Sequence, residues 1–126
     1  MIPTRWRTLF DEQLEDAVHR LQEARKHLAS GDGARAMQGA YQATVTAASI
    51  RVWMQKHPWD TTLPADEMQR RAVAEFPTGF ASMATLDLPS LLRGFWSPDA
   101  ALPYVSETEA FVQATRDQFD SWVAAA

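Results

Sequence analysis

Residues 34–56 read ARAMQGAYQATVTAASIRVWMQK, about six helical turns with no proline. Ala36, Ala40, Ala43, Ala47, Ile50 and Met54 recur at three- and four-residue steps, the helical period. A second stripe of Met37, Tyr41, Val45, Ala48 and Val52 lies beside the first. A helix apolar over so wide an arc needs neighbours on several sides, so this stretch is expected to be the central helix of an all-α domain.

Composition narrows the class around it. A chain of 126 residues with 46% hydrophobic and 22% charged residues is sized and balanced for one globular domain with a real core. There are no cysteines, which excludes disulfides and thiolate metal sites and makes a cytoplasmic location the simplest expectation. No apolar run approaches the roughly 20 residues of a membrane span, and residues 1–10 carry no signal-peptide pattern. The formal charge of -4 argues against a broad nucleic-acid surface. The charge is uneven, however: residues 1–56 hold eight Arg/Lys against six Asp/Glu, and residues 57–126 hold four against ten. An anionic partner is therefore expected to meet the first half.

The remaining elements follow from caps and breakers. Residues 1–7 form a lead-in whose Trp6 packs onto the bundle. A first helix spans 8–30, with Thr8 as N-cap, Asp11 and Glu12 in its first turn, and Leu14, Ala17, Val18, Leu21, Ala24 and Leu28 as its apolar stripe. Gly31-Asp32-Gly33 is a short connection with Asp32 capping the central helix, which makes the first two helices an antiparallel hairpin. Pro58 ends the central helix at His57. Thr62 or Leu63 leads into a third, shorter helix with Pro64 near its first position; Met68, Ala72, Val73 and Phe76 form its inner face, and Pro77 stops it. Residues 78–86 are ambiguous, residues 90–96 suggest one more brief helix, and residues 97–105, with two prolines, suggest an extended loop. Ser106 and Glu109 form a capping box opening the last helix, which turns Phe111, Val112, Thr115, Phe119, Trp122 and Val123 inward. The expected fold is an antiparallel up-and-down helical bundle of three long or moderate helices plus short ones.

Candidate chemistry is sparse. His19, Glu23 and His27 lie four apart on the first helix, but at about 100° per residue they point away from Leu14, Val18 and Leu21, toward solvent. Without a fourth convergent ligand they make a poor metal site, and no metal or cofactor is expected. Asp11, Glu12, Glu15 and Asp16 read as a solvated, dipole-favoured face, and Arg70-Arg71 as a surface pair. Arg51 and His57 have a spacing that could serve phosphate binding and general acid/base chemistry in RNA cleavage. On one continuous helix their faces oppose, so they converge only if His57 turns back after the helix ends; otherwise Arg51 is a solvated or ion-paired residue and His57 a partner for the helix dipole. Arg20, Arg25, Lys26 and Arg35 cluster around the tip of the first hairpin, where a polyanion would be met. The row Ala36, Gly39, Ala40, Ala43, Ala47 allows close backbone approach, either within the chain or as the seam of a homodimer.

The segment LQEARKHLASGDGARAMQGAYQATVTAASIRVWM, with its short glycine-containing turn and alanine-rich second helix, resembles the opening hairpin of the HEPN domain family. SPDA…PYVSETEAFVQATRDQFDSWV resembles that family's closing segment, a proline–aspartate loop leading to a capped acidic helix. The resemblance runs from about residue 14 to residue 123. It implies a helical bundle, frequent dimerisation, a toxin–antitoxin or RNA-processing setting, and either RNA cleavage or nucleotide and partner binding. Catalytic members carry an arginine and a histidine around the start of a late helix. Here no histidine follows His57, and Arg51 and His57 have a matching spacing.

The resulting expectation is a non-catalytic, dimeric HEPN-like accessory module that binds a nucleotide, RNA or protein, without a membrane. The alternatives are a metal-independent ribonuclease using Arg51 and His57, and a purely structural interaction domain whose tryptophans meet a protein partner.

Overall fold

The computed structural model describes residues 1–81 and 96–126, and among these residues every regular element is a helix. They are α1 (Thr4–Ala29), α2 (Gly33–Lys56), α3 (Ala65–Ala74), α4 (Thr78–Ala81) and α5 (Pro98–Ala125). The all-α bundle expected from the periodicity is the fold that forms. No helix among the described residues is long and apolar enough to cross a membrane.

The hairpin forms as its sequence indicates. Gly31 takes a φ of +86°, which L side chains rarely adopt, and the Asp32 carboxylate accepts from the Arg35 amide at 3.0 Å to cap α2. Arg20 reaches Gln42, and Gly39 faces Arg20 and Ala24, so α1 and α2 run antiparallel. The chain then turns back along α2 through α3, which brings Glu75 to Gln55 and Phe76 to Tyr41. The long helix α5 follows, antiparallel to α1 (Arg25 meets Glu109, Asp11 meets Arg116) and parallel to α2. The parallel register is plain from two contacts, Thr44 with Thr108 and Arg51 with Thr115, each joining residues 64 positions apart.

α2 is the central element because its small side chains let three helices approach it. Ala36, Met37, Ala40, Ala43, Ala47, Ala48 and Ile50 are all 0% exposed. Of the two uses expected of the alanine row, packing within the chain is the one that forms: it is covered by α1 and α5. A leucine at Ala40 or Ala43 would overpack this layer at a cost of about 1–3 kcal/mol. At one end of the bundle Phe10, Leu14, Ile50 and Phe119 form a second cluster, flanked by Trp6, Trp53, Met54 and Trp122. Full burial of such large side chains contributes roughly 1.5–3 kcal/mol each.

Two helix starts differ from expectation. α1 begins at Thr4, not Thr8, because the Pro3 carbonyl already accepts from the Trp6 and Arg7 amides and Trp6 packs on Phe10 one turn on. Asp11 and Glu12 consequently lie beyond the first turn. Residues 97–105 are not an extended loop. The Ser97 hydroxyl accepts from the Ala100 amide at 3.1 Å, Pro98 sits where its missing N–H costs nothing, and Asp99 lies in the first turn. Pro103 falls inside the helix, where its missing N–H leaves an acceptor near Asp99 free; both residues are exposed, so water can satisfy it. Ser106 and Glu109 are therefore mid-helix residues and not a capping box.

Of the expected apolar stripe of α1, Val18 is 44% exposed and does not join Leu14, Ala17, Leu21 and Ala24 in the core. In α3 only Ala72 is buried, with Met68, Val73 and Phe76 half-buried. Trp122 and Val123 are also half-buried. The expected helix at 90–96 lies outside the described residues except for Trp96, as does the part of 78–86 beyond Ala81.

Candidate functional site

Antiparallel packing of α1 on α2 leaves a polar groove of about 350 Å³ along their shared edge. Its floor is Ala24 and Gly39. A Cβ at Gly39 would lie 3.2 Å from the Arg20 carbonyl oxygen, so the helices approach each other closely here. From α1 come His19, Arg20 and His27; from α2 come Arg35, Gln38 and Gln42. Each of these sets recurs at helical steps, which is why both project along the same edge.

Arg20 is held in place from two sides. Its Nε donates to Asp16 Oδ2 at 2.8 Å and its Nη1 to Gln42 Oε1 at 2.6 Å, while Nη2 carries no hydrogen bond among the described residues. Arg35 Nε lies 3.4 Å from Asp32 Oδ2, and among the described residues its two terminal nitrogens have no hydrogen-bond partner. The groove thus presents unused guanidinium donors beside two imidazoles and two side-chain amides. Asp16 and Glu23 line it as well, so two carboxylates stand against its two guanidiniums.

The four-residue cluster expected at the hairpin tip does not assemble as one site. Arg20 and Arg35 share the groove, but Arg25 turns away to α5, where its Nε donates to Glu109 Oε2 at 3.0 Å and its Nη2 reaches Ser106 Oγ at 3.2 Å and Glu109 Oε1. The hydrogen bond to Glu109 holds the Arg25 guanidinium above its ordinary range. Arg25 is therefore a clamp between α1 and α5. Lys26 Nζ lies 3.2 Å from Glu23 Oε1, and that hydrogen bond and charge hold the Glu23 carboxyl below its ordinary value, with His19 and His27 adding smaller pulls in the same direction. Among the described residues no group of His, Asp and Glu is placed to hold a metal ion.

Arg51 and His57 take separate partners. Arg51 is half-buried and has no ion-pair partner among the described residues: its Nε donates to Thr115 Oγ1 at 2.7 Å, its Nη2 lies 3.5 Å from the Phe111 carbonyl, and its guanidinium sits 4.2 Å from the centre of the Phe111 ring. Burial pulls its affinity for protons below the ordinary arginine range, with Glu75 opposing. His57 caps the end of α2 at φ +55°, its ring flat against Trp59 with centroids 5.0 Å apart, and toward Trp122.

Gln38 and Gln42 are groove residues that the sequence reading passed over. Their signal was available, since they flank Gly39 and stand four apart on α2. His19 and His27 were weighed as metal ligands, and their nearness to Arg35 across the hairpin depends on the helix register. Comparison of the chain with protein-family models, curated proteins and solved structures gave no match.

Proposed function

We propose that this protein is a non-catalytic, HEPN-like binding module whose α1–α2 groove takes a phosphate group of a nucleotide or of RNA. The observation that carries the reading is the joint placement of Arg20 and Arg35, with unused donors, beside His19, His27, Gln38 and Gln42 in one groove. Arginine forks suit phosphate oxygens, and the side-chain amides add neutral donors without crowding. The engagement of Arg51 by Thr115 and Phe111 weighs against a ribonuclease built on Arg51 and His57, because a guanidinium committed to an interhelical contact is not at hand for a scissile phosphate.

The module is further proposed to act as a dimer. With the alanine row covered, its contact would fall on another face, such as the α1–α5 groove where Leu14 and Val112 underlie the exposed Val18. Sedimentation over a range of concentrations tests that part.

Fluorescence anisotropy with a labelled single-stranded RNA and with a labelled adenine nucleotide tests the groove. Binding is expected to weaken about tenfold or more in the Arg20→Ala/Arg35→Ala double variant, and to weaken with added salt. Failure of both probes to bind, or equal binding by the double variant, would sink the reading. RNA cleavage that disappears in His57→Ala would replace it with the ribonuclease.

A further inference from the structure

At the opposite end of the bundle, the carboxyl ends of α2 and α5 meet the first residues of the chain around a second cleft, of about 370 Å³. Three aromatic rings stand in its wall. His57 and Trp59 are stacked with their planes 6° apart, and Trp122 of α5 leans against both, its centroid 5.8 Å from Trp59 and 6.3 Å from His57. Ile2 and Ala125 complete an apolar rim.

The rings are brought together by an unusual piece of backbone. His57 adopts φ +55°, a conformation that glycine or asparagine would hold with less strain. Its carbonyl then accepts from the Asp60 and Thr61 amides at 3.0 and 3.1 Å, folding the segment back on the helix end. A histidine at a backbone position that favours glycine, with its ring laid on an indole, is the kind of local strain that accumulates where a surface has been shaped for binding.

The charge of the cleft is equally specific. Asp60 is the one carboxylate side chain among its lining residues and no arginine or lysine is among them; Met1 and Ala126 also line it, with terminal groups of opposite charge that offset one another. Among the described residues no hydrogen bond or ion pair engages the Asp60 carboxylate, whereas the groove carboxylates Asp16 and Glu23 each have a basic partner. An indole face attracts a cation through its quadrupole, and an unpaired carboxylate beside it adds direct charge. An anion, including the phosphate of a nucleotide, would meet Asp60 unfavourably. A bare ammonium is strongly hydrated and gives up water to lie on a ring, whereas an alkylated ammonium loses little by resting on ring faces beside a negative charge.

We propose that this cleft binds an alkylated ammonium group, held against Trp59 and Trp122 with Asp60 as its counter-charge. The site is independent of the α1–α2 groove and does not rest on the phosphate-binding reading.

The test is a titration of the full chain with tetramethylammonium chloride, followed through the indole N–H signals of Trp59 and Trp122 against sodium chloride of equal ionic strength. A saturable shift of both signals is expected. Asp60→Asn is expected to weaken it about fivefold, and tert-butanol, a neutral molecule of similar shape, to bind at least about fivefold less well. Trp59→Ala, in the loop and outside the core, is expected to abolish the saturable response while circular dichroism stays unchanged; Trp122 is spared because it also packs on Phe10 and Phe119. Shifts that match sodium chloride, equal affinity for tert-butanol, or an unaltered response in Asp60→Asn would each overturn the proposal.

Discussion

Arg51 on α2 donates from Nε to Thr115 Oγ1 on α5 at 2.7 Å, and Thr115 passes its own hydrogen to the Phe111 carbonyl at 2.8 Å. The hydroxyl is thus both acceptor and donor in a chain of three groups, and the cation rests on the Phe111 ring at its far side. One helical residue therefore fixes the register of two parallel helices without any ion pair.

That arrangement predicts an asymmetric response. Thr115→Val removes the acceptor and leaves the Arg51 donor facing an apolar wall, and should cost about 1–3 kcal/mol. Arg51→Met in the Thr115→Val background should recover part of that loss, since both polar groups are then gone. Denaturant unfolding of the two single variants and the double variant gives the coupling directly. Additive effects would show that the contact contributes nothing of its own.

A second asymmetry sits seven residues back on each helix. Thr44 Oγ1 donates to the Ala40 carbonyl at 2.9 Å, so its single hydrogen is spent and Thr108 must be the donor in the 3.0 Å contact between the two hydroxyls. Thr44→Val strands the buried Thr108 donor and should cost about 1–2 kcal/mol. Thr108→Val leaves Thr44 with its carbonyl partner and should cost less. Equal losses on unfolding, or the reverse order, would refute the assigned direction.

These contacts also mark what a sequence can disclose. The α1–α2 hairpin was legible because its signals are local: a helical stripe, a glycine turn, and Asp32 three residues before the amide that it caps. Arg51's partner was not legible, because Thr115 lies 64 residues away and becomes its neighbour only through the parallel register of α5. The start of α5 was misread for a different reason. Ser97-Pro98-Asp99 and Ser106 through Glu109 both carry the chemistry of a helix start, and Pro103 between them favoured the second; the helix nevertheless starts at Pro98 and runs through Pro103, whose lost hydrogen bond falls on the exposed face. In the candidate groove, Arg20 and Arg35 were foreseeable from their closeness to the turn. Arg25 was not separable from them until Glu109 of α5 was seen to take it.

Close approach of backbone distinguishes two glycines that look alike in sequence. A Cβ at Gly33 would lie 2.7 Å from the carbonyl carbon of Ser97 and collide with the Trp96 carbonyl, neither of which can swing away. At Gly39 the nearest atom is the Arg20 carbonyl oxygen at 3.2 Å, a smaller intrusion. Alanine in a helix gains roughly 1 kcal/mol over glycine. Gly39→Ala should therefore be close to neutral by thermal unfolding, while Gly33→Ala should lose about 1–3 kcal/mol through displacement of the α5 start. Similar melting temperatures for the two variants would contradict this placement.

The Glu23 carboxyl supplies a pH-dependent prediction. Lys26 holds its folded-state pKa below the ordinary value, first through the hydrogen bond and then through charge. A depressed carboxyl stabilises the fold above its unfolded-state pKa, and that contribution disappears as the pH falls through the folded-state value. Lys26→Ala should move the Glu23 titration upward, toward the ordinary glutamate range, when followed by carboxyl carbon shifts. Solvent around the pair keeps the effect on stability small. An unmoved titration curve would show that the ion pair is not formed in solution.

His57 separates backbone strain from side-chain stacking. Its φ of +55° disfavours any residue with a Cβ, while its ring gains by lying on Trp59. Replacement by alanine or by glycine removes the ring in both cases, so the difference between the two variants reports the backbone alone. His57→Gly should be about 1 kcal/mol more stable than His57→Ala, because only glycine is indifferent to the sign of φ. The position of wild type between them then measures the stack: an aromatic contact worth about 0.5–1.5 kcal/mol places it near the glycine variant. Equal stabilities of the alanine and glycine variants in denaturant would mean that the helix ends without the left-handed residue, and that the rings of His57, Trp59 and Trp122 are not held together by the backbone turn.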